Sequence, residues 1–246
     1  MGAYGPAEIA GVLAVVAVAS SISRVSGFGF GLIVVPVMSL FIKPQEAIII
    51  STVVGLFTSM NQAWWERRNA DMEVVHRLFL SACVGMPPGL AVFLFIPEKG
   101  LRLVLGVVVM LAAVVLARGF VLPRASKRTD MGIGFLSGLL NTSVSTNGPP
   151  LVFLLQARGY EPHMFRGTIS RVFFYSNVVS VSLFAWAGKL HGRAVVLALS
   201  ALPLMYLMQW GSGRLAHHVH GDRFRRLVLA LLFLSGVSAV VAAAAK

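Results

Sequence analysis

The chain has 246 residues, of which 57% are hydrophobic and only 12% charged, yet 21 Lys and Arg against 9 Asp and Glu leave a formal net charge of +12. Soluble domains carry about 25% charged residues, so together with a mean hydropathy of +0.81 the composition excludes a soluble enzyme and a disordered chain. A single cysteine, Cys83, excludes an internal disulfide scaffold and a cysteine-based metal site.

The class that remains is an all-α polytopic membrane protein. A crossing needs roughly 20 apolar residues. No basic segment precedes the first apolar stretch, so no cleavable signal peptide is predicted. Region 7–42 is too long for one span and too short for two with a loop, and Ser26-Gly27-Phe28-Gly29-Phe30-Gly31 breaks it. Plain spans follow at 45–65, 74–96 and 101–122. The polar stretch PRASKRTD, Pro123 to Asp130, then falls near the midpoint, and its residues 123–128 are read as a central basic loop. Region 129–158 repeats the first pattern, with Ser143-Val144-Ser145-Thr146-Asn147-Gly148-Pro149-Pro150 as its break. Three further spans are predicted at 163–187, 194–213 and 224–245.

Irregular backbone at membrane depth survives only where it is buried in protein or lines a cavity. Both broken regions are therefore read as helical hairpins, each followed by three spans, which makes 1–122 and 129–246 two repeats. Pro44 and Pro162 lie 118 positions apart, and the same offset takes Phe30 to Gly148 and Gly31 to Pro149. Arg102-Leu103 and Arg226-Leu227 open the last span of each half at an offset of 124.

Charge orients the chain. Counted as single crossings, the broken regions leave 10 Lys and Arg on one side and 9 on the other, which orients nothing. Counted as hairpins they leave 13 against 6, the six being Lys43, Lys99, Arg102, Lys189, Arg193 and Lys246, with Arg24 and Arg171 inside segments. The two repeats are then inverted. The positive-inside rule makes the 13-residue side cytoplasmic and both termini periplasmic.

Inverted repeats with broken helices at their interface are a recurrent transporter plan. In each hairpin the second arm starts at the break, so its N-terminus points inward with a partial positive charge. Gly27, Gly29 and Gly31 permit tight turns, Asn147 can cap the arm that Gly148 opens, and Pro149 suits a first turn. With the hydroxyls of Ser26, Ser143, Ser145 and Thr146, two such termini favour a small anion. The alternative, that these glycines and prolines only serve close helix packing, stays open on the residues alone.

The run GFGFGLIVVP resembles the first signature of the sulfite exporter TauE/SafE family, and Asn147-Gly148-Pro149-Pro150-Leu151 resembles its second. Phe28 and Phe30 depart from the commoner all-glycine form of the first. The resemblance runs over essentially the whole chain. It implies a permease that moves sulfite, a sulfoacetate-like organosulfonate or a related sulfur oxyanion across the bacterial inner membrane, with export as the expected direction.

Arg24 and Arg171 join the candidate binding residues, because an intramembrane arginine is functional by default. For Arg171 the competing reading is snorkelling to the interface. Asn61, Gln62 and Asn177 are expected to hydrogen-bond between helices, and Ser51 and Thr52 to satisfy backbone locally. His217, His218 and His220 read as a solvated basic loop rather than a metal site, and Trp64, Trp65 and Trp210 as interfacial anchors. No Asp or Glu lies deep in a span and no phosphate-binding loop is present, so transport is expected to be secondary or passive, any proton travelling on a weakly acidic substrate. No metal or other cofactor is expected, and dispersed cations argue against nucleic acid. A homo-oligomer is left open. The competing functions are a cation or metal permease, which would want ligands at depth, and a membrane-embedded enzyme, which would want a histidine near the midplane.

Overall fold

The computed structural model describes residues 4–117, 126–190 and 192–216. The expected span 224–245, the histidines at 217, 218 and 220, and most of the central loop lie outside them. Every element among the described residues is helical: α1 (Pro6–Ser26), α2 (Phe30–Met38), α3 (Pro44–Trp65), α4 (Met72–Phe95), α5 (Glu98–Ala117), α6 (Lys127–Val144), α7 (Gly148–Ala157), α8 (Pro162–Trp186), α9 (Gly192–Ser200) and α10 (Leu202–Ala216). Helices α1, α3, α4 and α8, and α9 with α10 taken as one, are long and apolar enough to cross a membrane.

Local chemistry sets the boundaries. Prolines open α1, α3 and α8 at their first turns, where a missing N–H costs nothing. The Asp71 carboxylate accepts from Val74 N–H at 3.1 Å to start α4, and Ser126 Oγ accepts from Thr129 N–H at 3.2 Å to start α6. Gly27 ends α1 in the left-handed region, φ 82°, and Ser145 ends α6 there, φ 52°. The span expected at 194–213 is interrupted by a turn at Ala201. The ring of Pro203 opposes the carbonyl four residues back, where a continuous helix would need it.

Helices α3 and α8 pack against each other at the centre. Around them α4 packs on α6 and on α8, while α1 packs on α10 and α9 on α3. The α4–α6 seam is a backbone-to-backbone contact. A Cβ on Gly85 would lie 2.0 Å from the Phe135 carbonyl oxygen, and one on Gly138 2.0 Å from that of Ala82. Gly89 and Gly134 are as tightly placed, which makes the seam two interlocked small-xxx-small faces.

The ends of each broken region meet. Tyr4 Oη donates to Glu46 Oε2 at 3.0 Å, and Arg193 pairs with the same carboxylate. Arg158 Nη2 lies 2.6 Å from Asp130 Oδ1, which also accepts from Arg77 Nε at 2.9 Å through its other oxygen. Glu66, at the far end of α3 from Glu46, pairs with Arg166 at 3.2 Å. The helical rise puts these two carboxylates roughly 30 Å apart, so one cluster occupies each end of the bundle.

Candidate functional site

The two breaks touch in the interior. A Cβ on Gly31 would lie 1.9 Å from the Ser145 carbonyl oxygen, so only glycine allows the first break to reach the second. Ser145 Oγ donates to Ser51 Oγ at 3.1 Å and accepts from Thr52 Oγ1 at 3.2 Å, which ties the second break to α3.

Beside this contact lies a cavity of about 40 Å³. Gly29 and Gly31 of the first break line it, with Ser145, Thr146, Asn147 and Gly148 of the second. Helix α3 contributes Ser51, Gly55, Thr58, Ser59 and Gln62, a stripe at the spacing of one helical face. Ser23, Asn141, Phe173 and Asn177 close it from α1, α6 and α8. At about 10–15 Å³ per water centre, the space suits roughly three waters or one small oxyanion.

Three of the lining amides each give one N–H to a neighbouring serine. Gln62 Nε2 donates to Ser23 Oγ at 3.0 Å, Asn177 Nδ2 to Ser59 Oγ at 3.4 Å and Asn141 Nδ2 to Ser180 Oγ at 2.8 Å. Asn61, by contrast, donates to Gln209 at 2.7 Å between α3 and α10 and does not line the cavity. Two lining donors are left without any partner: Asn147 Nδ2, on a residue 8% exposed, and Thr58 Oγ1, on a residue 2% exposed. A buried unpaired donor costs about 1–3 kcal/mol, so both mark a place where a ligand or water belongs.

The expected Asn147 cap does not form. The N–H groups that a capping side chain would accept from belong to the second and third helical residues, and here those are Pro149 and Pro150, which have none. Freed from capping, the amide faces the cavity. At the other break the first backbone bond of α2 runs from Ile33 N–H to the Gly29 carbonyl at 3.2 Å, leaving Phe30, Gly31 and Leu32 N–H without an intrahelical carbonyl.

Of the residues singled out in the sequence, Gly29, Gly31, Ser145, Thr146, Asn147 and Gly148 line the cavity; five others lie elsewhere. Ser26 Oγ closes the first turn against the Phe28 and Ile22 carbonyls at 2.5 and 2.9 Å. Ser143 Oγ donates back to Leu139 at 2.7 Å. Gly27 backs onto Arg166, whose Cγ would lie 2.8 Å from an added Cβ. The Arg24 guanidinium stacks 3.9 Å over Trp65, and Arg171 donates to the Arg67 carbonyl at 2.5 Å. Sequence reasoning passed over Ser23, Thr58, Ser59 and Asn141. The polar stripe on α3 was the available signal.

Just beyond Gly27 lies the Glu66 cluster. Burial alone would push the Glu66 carboxyl up, but Asn69 donates to it at 3.0 Å and Arg166 and His163 flank it, which together hold it below the usual carboxylate range. Asp71 is held low in the same way: burial would raise it, but Tyr160 Oη donating at 2.5 Å, the Val74 and Glu73 backbone N–H groups and nearby Arg158 together outweigh burial. Tyr160 itself is pushed up to about 12 by burial and by Asp71. Among the described residues no three His, Cys, Asp or Glu side chains come together as a metal site.

The profile of the sulfite exporter TauE/SafE family matches residues 12–239. The chain is 26% identical over 243 residues to the probable sulfite/organosulfonate exporter TauE of Cupriavidus necator, an alignment covering 95% of this chain and 94% of that protein. It is 30% identical over 104 residues to the probable inner membrane transporter protein TsaS of Comamonas testosteroni, covering 42% and 44%. No solved structure matches.

Proposed function

Because the chain belongs to the sulfite exporter TauE/SafE family, whose members are membrane transporters and not enzymes, we propose that it moves a small sulfur-containing anion, sulfite or a related organosulfonate, outward across the bacterial inner membrane. The relative that covers nearly the whole chain is named a probable exporter of such anions. The site is the cavity between the two breaks. The observation that carries this is the unpaired Asn147 amide, buried beside the open N-terminus of α2. Binding is by neutral dipoles, with the partial positive charge of that terminus.

Residues 1–122 and 129–246 act as inverted repeats, and both termini are periplasmic. The meeting of Tyr4 with Glu46, and of Asp130 with Arg158, supports hairpins that return to their own side. So does the exchange of packing partners, α4 on α6 answering α10 on α1. Exchange of access between the two faces would then rock one repeat against the other about the α3–α8 contact.

Replacing the Asn147 amide by an isosteric-sized hydrocarbon tests the site. In proteoliposomes Asn147→Leu is expected to lower sulfite flux at least about tenfold, the value of one hydrogen bond to a charged group, with the melting temperature unchanged. Wild-type flux in that variant would remove Asn147 from the site. Flux that ignores pH gradient and membrane potential but requires ATP or sodium would refute a secondary mechanism.

A further inference from the structure

The cavity is built without a charge. Every described residue that lines it is neutral, although three arginines stand nearby. None of the three lines it: Arg166 pairs with Glu66 at 3.2 Å, Arg24 stacks on the Trp65 ring and Arg171 donates to the Arg67 carbonyl. The Nε of Arg24 and that of Arg171 are buried and unpaired, away from the lining. Resting on the reading of this cavity as the anion site, we infer that it selects the charge state of its substrate. It accepts singly charged sulfur oxyanions, bisulfite or a sulfonate, and rejects doubly charged ones such as the sulfite dianion or sulfate.

The physical reason is a difference in scaling. The cost of taking an ion out of water grows with the square of its charge, whereas its attraction to fixed dipoles and neutral donors grows only linearly. A set of donors that balances one charge therefore falls behind at two. The set here is small. Pro149 and Pro150 remove two N–H groups from the start of α7, leaving there only that of Gly148, beside those of α2, Asn147 Nδ2 and Thr58 Oγ1. The site also offers acceptors. With one N–H of each of Gln62, Asn141 and Asn177 engaged, these residues bring, beside their second N–H, amide oxygens as acceptors. Bisulfite has a proton to give them and the dianion has none.

Sulfite would then cross carrying its proton, gained from water on one side and released on the other, with no bond in the protein made or broken. That accounts for a chain whose described carboxylates, such as Glu46, Glu66, Asp71 and Asp130, stand at the ends of helices rather than along a relay.

Calorimetric titration of the full-length protein in nanodiscs with methanesulfonate, sulfite and sulfate, at about pH 6 and about pH 8, tests this. Methanesulfonate is singly charged at both values. It therefore reports any effect of the titratable groups near the first break, which are Arg24 of α1, Glu66 at the end of α3, and His163 and Arg166 of α8. It is expected to bind alike at both. Sulfite should weaken about tenfold at the higher pH as bisulfite is depleted, and sulfate should bind at least about tenfold more weakly than methanesulfonate throughout. Sulfate binding as tightly, or sulfite tightening as pH rises, overturns the selectivity and leaves the permease reading standing. Failure of all three to bind the folded protein overturns the permease reading, and this inference with it.

Discussion

Among the described residues that line the cavity, Asn147 and Thr58 are the two with a buried side-chain donor left without a partner. Thr58 is informative because valine copies its shape without its hydroxyl. Thr58→Val removes a buried donor that has no partner, so the protein should be unchanged in stability or firmer by about 1 kcal/mol, while its affinity for sulfite falls. Thermal melts with and without the anion read both effects. A loss of stability would mean that the hydroxyl is structurally paired. Asn147 could be picked out of the sequence because it begins an N-G-P-P run. Thr58 could not, because a threonine in an apolar helix is more often bonded back to its own carbonyl chain, as Thr52 is to Ile48 at 2.8 Å.

At the scale of elements, the glycines fall into two groups with different work. Gly31 lets the two breaks touch, and Gly85, Gly89, Gly134 and Gly138 let α4 and α6 touch. Helices in lipid gain little from burying apolar surface against each other, so close backbone approach carries their association. Gly138→Val would drive a side chain into the Ala82 carbonyl and should cost about 2–3 kcal/mol as overpacking. Unfolding in detergent measures it, and a melting temperature like the wild type's would remove the seam from the stability of the fold. Among the described residues, the hydrophobic runs and their breaks fall within a few residues of the helices. The turn at Ala201 and the missing Asn147 cap were harder to see, because both depend on prolines one or two positions away removing a donor or a space.

At the scale of the whole molecule, the buried and half-buried ion pairs among the described residues gather at the two ends of the bundle. The carboxylates of Glu66 and Asp71 are held below their ordinary values. A lowered folded pKa contributes stability above the unfolded value, about 4 for these groups, and that contribution is lost as pH falls through the folded value. The melting temperature is therefore expected to drop on acidification below about pH 4, and less steeply in Glu66→Gln; equal slopes would show that Glu66 carries none of it. Orientation is tested from outside the cell. On a Cys83→Ser background, Ser126→Cys should react with an impermeant maleimide only in opened cells and Lys99→Cys in intact ones. The reverse pattern would invert the topology.

The sequence by itself determined the medium, the helices and the places where they break, because hydropathy, glycine and proline act locally and along the chain. It also placed six of the cavity-lining residues, those of the two breaks. Only the tertiary structure decided which polar groups finish without a partner. It stacked Arg24 on Trp65 and bonded Arg171 to a carbonyl, and it brought to the cavity Gln62 and Asn177, read as packing residues, and Thr58, which the sequence did not single out. Those outcomes depend on what lies across an interface, and no neighbour in sequence carries that information.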